Sequence, residues 1–228
     1  MASVTEQSTI VDCSGKPTRE INRLIKEAEG EVLVKNPSAR HNLGVAILKP
    51  LRVVFDGSVG WYCASMLDGG DVEIRGNCGW SLGENMMSGS IVVRGHAGSS
   101  AGATIRGGRV LVQGDAGART GISMKGGTVA IAGSVGYMSG FMMQRGTLVV
   151  GNDAADGIGD SMYEGTIFVG GTIASLGSDA VEAELTDQDR AFLTDLGIEP
   201  RDEWKKLVAG KKLWNFSKKE FEVWKVAL

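Results

Sequence analysis

The chain has 228 residues, a net charge of −3 and 43% hydrophobic residues. That charge lacks the basic surplus of a nucleic-acid binder, and no segment approaches the roughly 18 consecutive apolar residues of a membrane span. Cys13, Cys63 and Cys78 are an odd number without CxxC spacing and read as reduced thiols. Glycine supplies 34 residues, about twice its ~7% average share, so the backbone must turn or approach itself closely many times.

The opening, Met1 to Ser8, is polar and lacks the apolar core of a signal peptide, which points to a cytoplasmic protein. Thr18 to Glu29 predicts an amphipathic helix with Ile21, Leu24, Ile25 and Ala28 on one face and Gly30 at its end. Glu31 to Val34 predicts a strand. Asn36 to Asn42, reading NPSARHN, is polar and falls outside the repeat that follows. It reads as a connecting loop, with a functional segment between partners as the alternative.

From residue 52 to 180 the sequence repeats every nineteen residues. Apolar triplets begin at Val53, Val72, Ile91, Val110, Val129, Leu148 and Ile167. Glycines recur in phase, for example Gly60, Gly79, Gly98, Gly117 and Gly136, then Gly83, Gly102, Gly121, Gly140 and Gly159, then Gly70, Gly89, Gly108, Gly127, Gly146 and Gly165. Leu67, Met86, Ile105, Met124, Met143 and Met162 form a further apolar ladder. Alternation within the triplets means strands, and a short exact period means a solenoid. The all-β fold expected is a single-stranded right-handed parallel β-helix of about seven coils, its hand set by the crossover rule. At ~3.3 Å per residue and ~4.8 Å per coil, the section is too narrow for more than packed side chains. Glycines are expected to supply the positive φ angles of the corners.

Residues 1–51 read as a cap with a helix and lead-in strand, and 181–228 as a C-terminal tail. In that tail Thr186 and Asp189 have the spacing of a capping box before Phe192, Leu193 and Leu196. Pro200 predicts the start of a second helix carrying Trp204, Leu207 and Val208. The stretch from Lys211 onward mixes lysines with Trp214, Phe216, Phe221 and Trp224, which pack on the rod itself or dock on a partner.

Chemistry-bearing residues are sparse. His41 and His96 are too few for a metal site or a triad, and Cys63 and Cys78 occupy different phases. Gly121 to Gly127 resembles a phosphate loop only superficially, because no Lys-Ser or Lys-Thr pair closes it. Arg75 and Arg94 fall on one line, followed by Gln113. They read as a wet face, with an anion or an acidic partner surface as the alternative. No catalytic, cofactor-binding or metal-binding residue is assigned.

The repeat V-x-V-x-G-x-x-G-x-x-x-G-x-x-M-x-x-G-G closely resembles the GXGXG β-helix family, which includes the C-terminal domain of the glutamate synthase large subunit. Thr18-Arg19-Glu20-Ile21-Asn22 with Leu24-Ile25-Lys26 is similar to the segment entering that domain, so the resemblance covers about residues 18 to 180. The formylmethanofuran dehydrogenase C subunit shares the coil without fitting the upstream helix as well. In the glutamate synthase family the β-helix holds together a glutaminase domain with an N-terminal cysteine and a barrel carrying FMN and an iron–sulfur cluster. Neither is present here: the chain begins Met1-Ala2, and Cys13 is internal. The resemblance therefore implies a separately encoded, non-catalytic scaffold subunit of a hetero-oligomer, with glutaminase-like and FMN/Fe–S partner subunits and no cofactor of its own. Among separate subunits the chain is most similar to the GXGXG subunits of N-methylglutamate synthases; a split glutamate synthase is the alternative. A free-standing polysaccharide-binding or -cleaving β-helix would need acids on adjacent coils, whereas Asp115 and Asp153 are two coils apart.

Overall fold

Alternating β-branched residues favour extended backbone, and each triplet is a strand in the computed structural model, which describes residues 8–210. The chain enters through β1 (Thr9–Asp12), α1 (Thr18–Glu27) and β2 (Glu31–Lys35). The rungs follow as β3 (Arg52–Asp56), β4 (Asp71–Ile74), β5 (Ser90–Val93), β6 (Arg109–Val112), β7 (Lys125–Ile131), β8 (Arg145–Val150) and β9 (Thr166–Val169). β10 (Ala180–Ala183), α2 (Asp187–Asp195) and β11 (Lys205–Ala209) close the described chain. From β1 to β9 every neighbour is parallel.

The register is that of the repeat. Val53, Val72, Ile91, Val110, Val129, Leu148 and Ile167 lie over one another, and all are buried. Leu67, Met86, Ile105, Met124, Met143 and Met162 are fully buried in the same core, together with Val59, Cys78, Ala97, Ala116, Val135 and Ala154, a column of isolated parallel bridges. Thr120 and Ser139 are the polar members of a further interior column. Their hydroxyls donate to Gly117 O at 2.9 Å and Gly136 O at 2.8 Å, so neither is left unsatisfied.

The stack begins earlier than the repeat suggests. β2 pairs with β3 at a 21-residue offset, Val32 against Val53. Asn36 to Asn42 is then part of a coil: Ala39 N donates to Ser58 O at 2.9 Å and Asn42 N to Trp61 O at 2.8 Å. The longer offset is why this coil escapes a nineteen-residue comparison.

The corners differ from the glycine expectation. Seventeen non-glycine residues among those described have positive φ, including Tyr62 (59°), Ser81 (58°), Ser100 (62°) and Arg119 (57°) in one column. A second column runs through Met66, Asn85, Thr104 and Ser123, with Gly83 and Gly102 between the two. The left-handed residues of these two columns point their N–H along the rod axis. Ser81 N donates to Ser99 O in the next coil at 2.9 Å, and Gly83 N to Cys63 O in the previous one at 2.9 Å. Hydrogen bonds on both sides hold a conformation that otherwise costs about 1–2 kcal/mol per residue. The glycine column at Gly98 and Gly117 serves close approach instead. A methyl built on Gly117 would lie 2.7 Å from Ser99 N and 2.9 Å from Gly98 C.

Both ends of the stack are covered. At the start, Ile21 and Ile25 of α1 are fully buried against Val11 and Cys13. Helix α1 ends at Glu27, with Ala28 extended at its C-cap and Gly30 turning the chain at φ +70°. At the far end the expected second helix is a strand. β11 inserts antiparallel between β9 and β10, pairing Leu207 with Ile167 and with Glu182. The exposed edge of β9 needs backbone partners, and Trp204, Leu207 and Val208, spaced as for a helix, give way to it. Trp204 folds over the outside of the sheet with Leu193, against Ala130, Val149 and Phe168. The capping box of α2 is formed, with Thr186 Oγ1 accepting from Asp189 N and the Asp189 carboxylate accepting from Thr186 N. The aromatic run from Trp214 to Trp224 lies outside the described residues.

Gly117→Ala is expected to lower stability by roughly 1–3 kcal/mol, the cost of overpacking a site bounded by backbone, read as a fall in the thermal unfolding midpoint. Gly197→Ala, where no atom lies within 4 Å of the added methyl, tests positive φ alone.

The Asp189 carboxyl responds to acid. Partial burial raises its pKa, but Lys206 Nζ at 2.7 Å and the Thr186 hydroxyl and amide together hold it below the ordinary carboxylate value. Its stabilising contribution is therefore complete above the unfolded value of about 3.9 and lost as pH falls through the lower folded value. Hydrogen exchange of α2 and β11 is expected to accelerate in that acidic window before the central coils respond, and Asp189→Asn abolishes the step.

Candidate interaction surfaces

Among the described residues the inward columns meet in one continuous buried core, which leaves no cleft inside the rod. Function must therefore sit on the outside, whose faces carry different chemistry.

Along one line a polar side chain of each coil accepts the backbone N–H of the next. Asn77 Oδ1 takes His96 N at 2.9 Å, His96 Nδ1 takes Asp115 N at 2.9 Å, and Asp115 Oδ1 takes Ser134 N at 2.8 Å. Asp153 Oδ1 takes both Thr172 N and Thr172 Oγ1 at 2.8 Å, bonds that lower its pKa from the ordinary value. Asp115 and Asp153 thus belong to a ladder that satisfies backbone donors, and His96 belongs to the same ladder.

The arginine line is neutralised. Arg52 bridges Glu31 at 2.8 Å and Glu73 at 3.1 Å, Glu73 also holds Arg94 at 3.0 Å, and Arg75 holds Asp56 at 3.3 Å. Each arginine meets a carboxylate one rung earlier, which resolves the like-charge problem and leaves a solvated face. Beyond Arg94 lies a groove of ≈ 570 Å³ between the outer sheet face and the Leu196–Ile198 turn, bounded by Val92, Leu111 and Trp204. The Trp204 Nε1–H is buried there without a partner among the described residues.

The three thiols are all buried and free. Burial raises the pKa of Cys13, pushes that of Cys78 up to about 12 and sets Cys63 well above its ordinary value. They stay protonated at neutral pH and are poor nucleophiles. The described residues hold no group of three or more potential metal ligands, and three buried cysteines fall short of the four that a [2Fe–2S] or [4Fe–4S] cluster takes. Gly121 lies buried inside a turn and Lys125 opens β7, so the glycine run there cradles coil contacts and no phosphate. No helix among the described residues is long and apolar enough to cross a membrane.

The loop face is different. Eight of the eleven exposed large apolar side chains among the described residues lie there: Leu48, Trp61, Tyr62, Met66, Trp80, Met87, Tyr137 and Met142. His41, Trp61 and Trp80 form a column of parallel rings, with centroids 4.6 and 5.2 Å apart. His41 is fixed as well by accepting Trp61 N at Nδ1, 2.9 Å away. The rest of the NPSARHN segment is pinned too: Asn36 Nδ2 donates to Asp12 Oδ1 at 3.0 Å, and the Arg40 guanidinium donates to Lys16 O. Sequence reasoning by ladders looked for what recurs and passed over this face. The usable signal was the mismatch between coils: Trp80, Tyr62 and Met66 stand at phases where later coils carry Ser99, Ser81 and Asn85.

These features define a parallel β-solenoid with a filled core and an asymmetric, partly apolar exterior. No protein-family model matches the chain. A stretch of 70 residues is 42% identical to Protein GlxC of Rhizobium meliloti (strain 1021), covering 28% of this chain and 31% of that protein. The match thus spans about a third of the relative's length.

Asp115→Asn keeps an acceptor for Ser134 N and is expected to leave stability within about 0.5 kcal/mol of the starting protein. Asp115→Ala is expected to cost about 1 kcal/mol, the value of one hydrogen bond. Equal losses in the two variants, measured by thermal or urea unfolding, would count against a ladder role.

Proposed function

We propose that the chain is a non-catalytic scaffold subunit of a glutamate-synthase-like complex, most specifically of N-methylglutamate synthase. In this reading a glutaminase-like subunit and an FMN/Fe–S barrel subunit carry out the chemistry, methylamine plus glutamate giving N-methylglutamate and ammonia. The observation that carries it is the GXGXG repeat folded in strict register into a solenoid. A rod of this kind has a rigid, well-defined exterior and a core too full to hold substrate, which suits it to hold other subunits at fixed separation. The raised pKa values of all three thiols and the structural use of Asp115 and Asp153 support the assignment of chemistry to partner chains.

The test is to isolate the tagged chain from its natural host at physiological expression. The expected result is co-elution with a subunit whose mature N-terminus is cysteine and with a yellow flavoprotein. Incubation with methylamine and glutamate is then expected to yield N-methylglutamate. Formation of glutamate from 2-oxoglutarate and glutamine instead points to a split glutamate synthase, and elution of the chain alone without flavin absorbance removes the scaffold reading.

A further inference from the structure

The exposed apolar side chains of the loop face are not scattered. Leu48, Trp61, Tyr62, Met66, Trp80 and Met87 all lie within the first coils. Three depressions join there. A groove of ≈ 620 Å³ runs beside α1, lined by Arg19, Arg23, Lys26 and Glu27. It shares Asn42 and Val45 with a depression of ≈ 180 Å³ at Tyr62 and Met66. Through Lys26 it also joins a pocket of ≈ 280 Å³ at Leu48. The cations differ in how they are used. Arg23 is paired with Glu27 at 2.7 Å, and Lys49 Nζ donates to Ala28 O at 2.6 Å. Arg19 and Lys26 are exposed and make no salt bridge to another described residue.

We propose that this continuous face is a docking surface for a different protein, taking a segment that presents apolar anchors flanked by carboxylates. Tryptophan, tyrosine and methionine are the side chains that interface centres favour, and an apolar patch of this kind on a solenoid marks a binding site. Arg19 and Lys26 at its rim outnumber Glu84, the one carboxylate lining the three depressions that makes no salt bridge to a described residue, and select an acidic partner. A second copy of the chain is disfavoured: a two-fold contact would bring together two faces that carry the same unpaired cations. Sugar stacking is disfavoured at Trp61, whose two faces are covered by His41 and Trp80.

The proposal rests on the chain acting within a hetero-oligomer, and its test separates the two ideas. A photo-crosslinking residue is placed at Met66 and, as a control, at the exposed Arg109 of the sheet face, in the full chain expressed in its natural host. Crosslinked peptides are identified by mass spectrometry. The expected product at Met66, absent at Arg109, joins it to a partner segment carrying carboxylates beside apolar residues. The variant Tyr62→Ser with Met66→Asn and Trp80→Ser copies the residues of the next coil at each phase (Ser81, Asn85 and Ser99), so its unfolding midpoint is expected to hold. Its recovery of that partner is expected to fall roughly tenfold or more. Arg19→Glu with Lys26→Glu is expected to weaken recovery similarly and to remove most of its salt dependence.

Crosslinking of Met66 to another copy of the chain, to a segment without carboxylates, or to nothing overturns the proposal, as does undiminished recovery by the triple variant. If the acidic partner is neither glutaminase-like nor a flavoprotein, the docking surface stands and the scaffold reading falls. If both those subunits co-purify without a Met66 crosslink, the surface falls and the scaffold reading stands.

Discussion

One constraint governs this molecule: the backbone of each coil must rest directly on the backbone of the coil before it. Strand spacing of about 4.8 Å leaves no room between successive turns for a side chain that points along the rod axis. Gly98 and Gly117 meet that limit by having no Cβ, since a methyl at either would fall within 3.0 Å of backbone atoms in the previous coil. The same closeness lets many N–H groups reach a carbonyl above or below, even where the chain is not a strand. In return the coils need little local preference of their own. Left-handed backbone at Tyr62, Arg119 or Thr104 would be strained in an isolated turn and is held here by bonds to both neighbours.

The constraint makes the ends costly, and much of the remaining chain is devoted to them. A coil without a successor exposes both its apolar columns and its ladder of backbone groups. At the start α1 presents Ile21 and Ile25 to the core, and β1 supplies one more strand. At the far end β11 returns antiparallel along β9, while α2 and Trp204 cover the outward column Ala130, Val149 and Phe168. The Asp189–Lys206 pair ties these two cap elements together at 2.7 Å. Protonation of Asp189 therefore loosens this end of the rod.

Stacking also shapes what the exterior can do. Each outward residue has counterparts at the same phase in other coils, so a chemical feature either extends as a line or stands out as an interruption. The Asn77–His96–Asp115 line extends, and its hydrogen bonds are spent on backbone. Tyr62, Met66 and Trp80 of the first coils give way one coil later to Ser81, Asn85 and Ser99, so their lines are broken there. Interruptions of that kind are free of the stacking requirement, which is why they mark a surface with another use.

The repeat determined the core by itself. Nineteen-residue spacing places Met86 over Leu67 and Val72 over Val53 whatever the corners do, because identical units stacked in register can bury their apolar positions in only one way. The capping box of α2 was equally legible, since its two bonds lie within four residues. Tertiary structure decided the rest. The sign of φ at Ser81 or Tyr62 is fixed by carbonyls nineteen residues or so away, and local propensity favours the opposite sign. Asn36 to Asn42 joined the stack despite its offset because β2 had already aligned with β3. Trp204, Leu207 and Val208 have helical spacing, yet the open edge of β9 offered a full set of backbone partners and drew them into a strand. The union of α1 with Tyr62, Met66 and Leu48 into one face was likewise invisible along the chain, for it exists only once the first coils are wound and the helix is seated beside them.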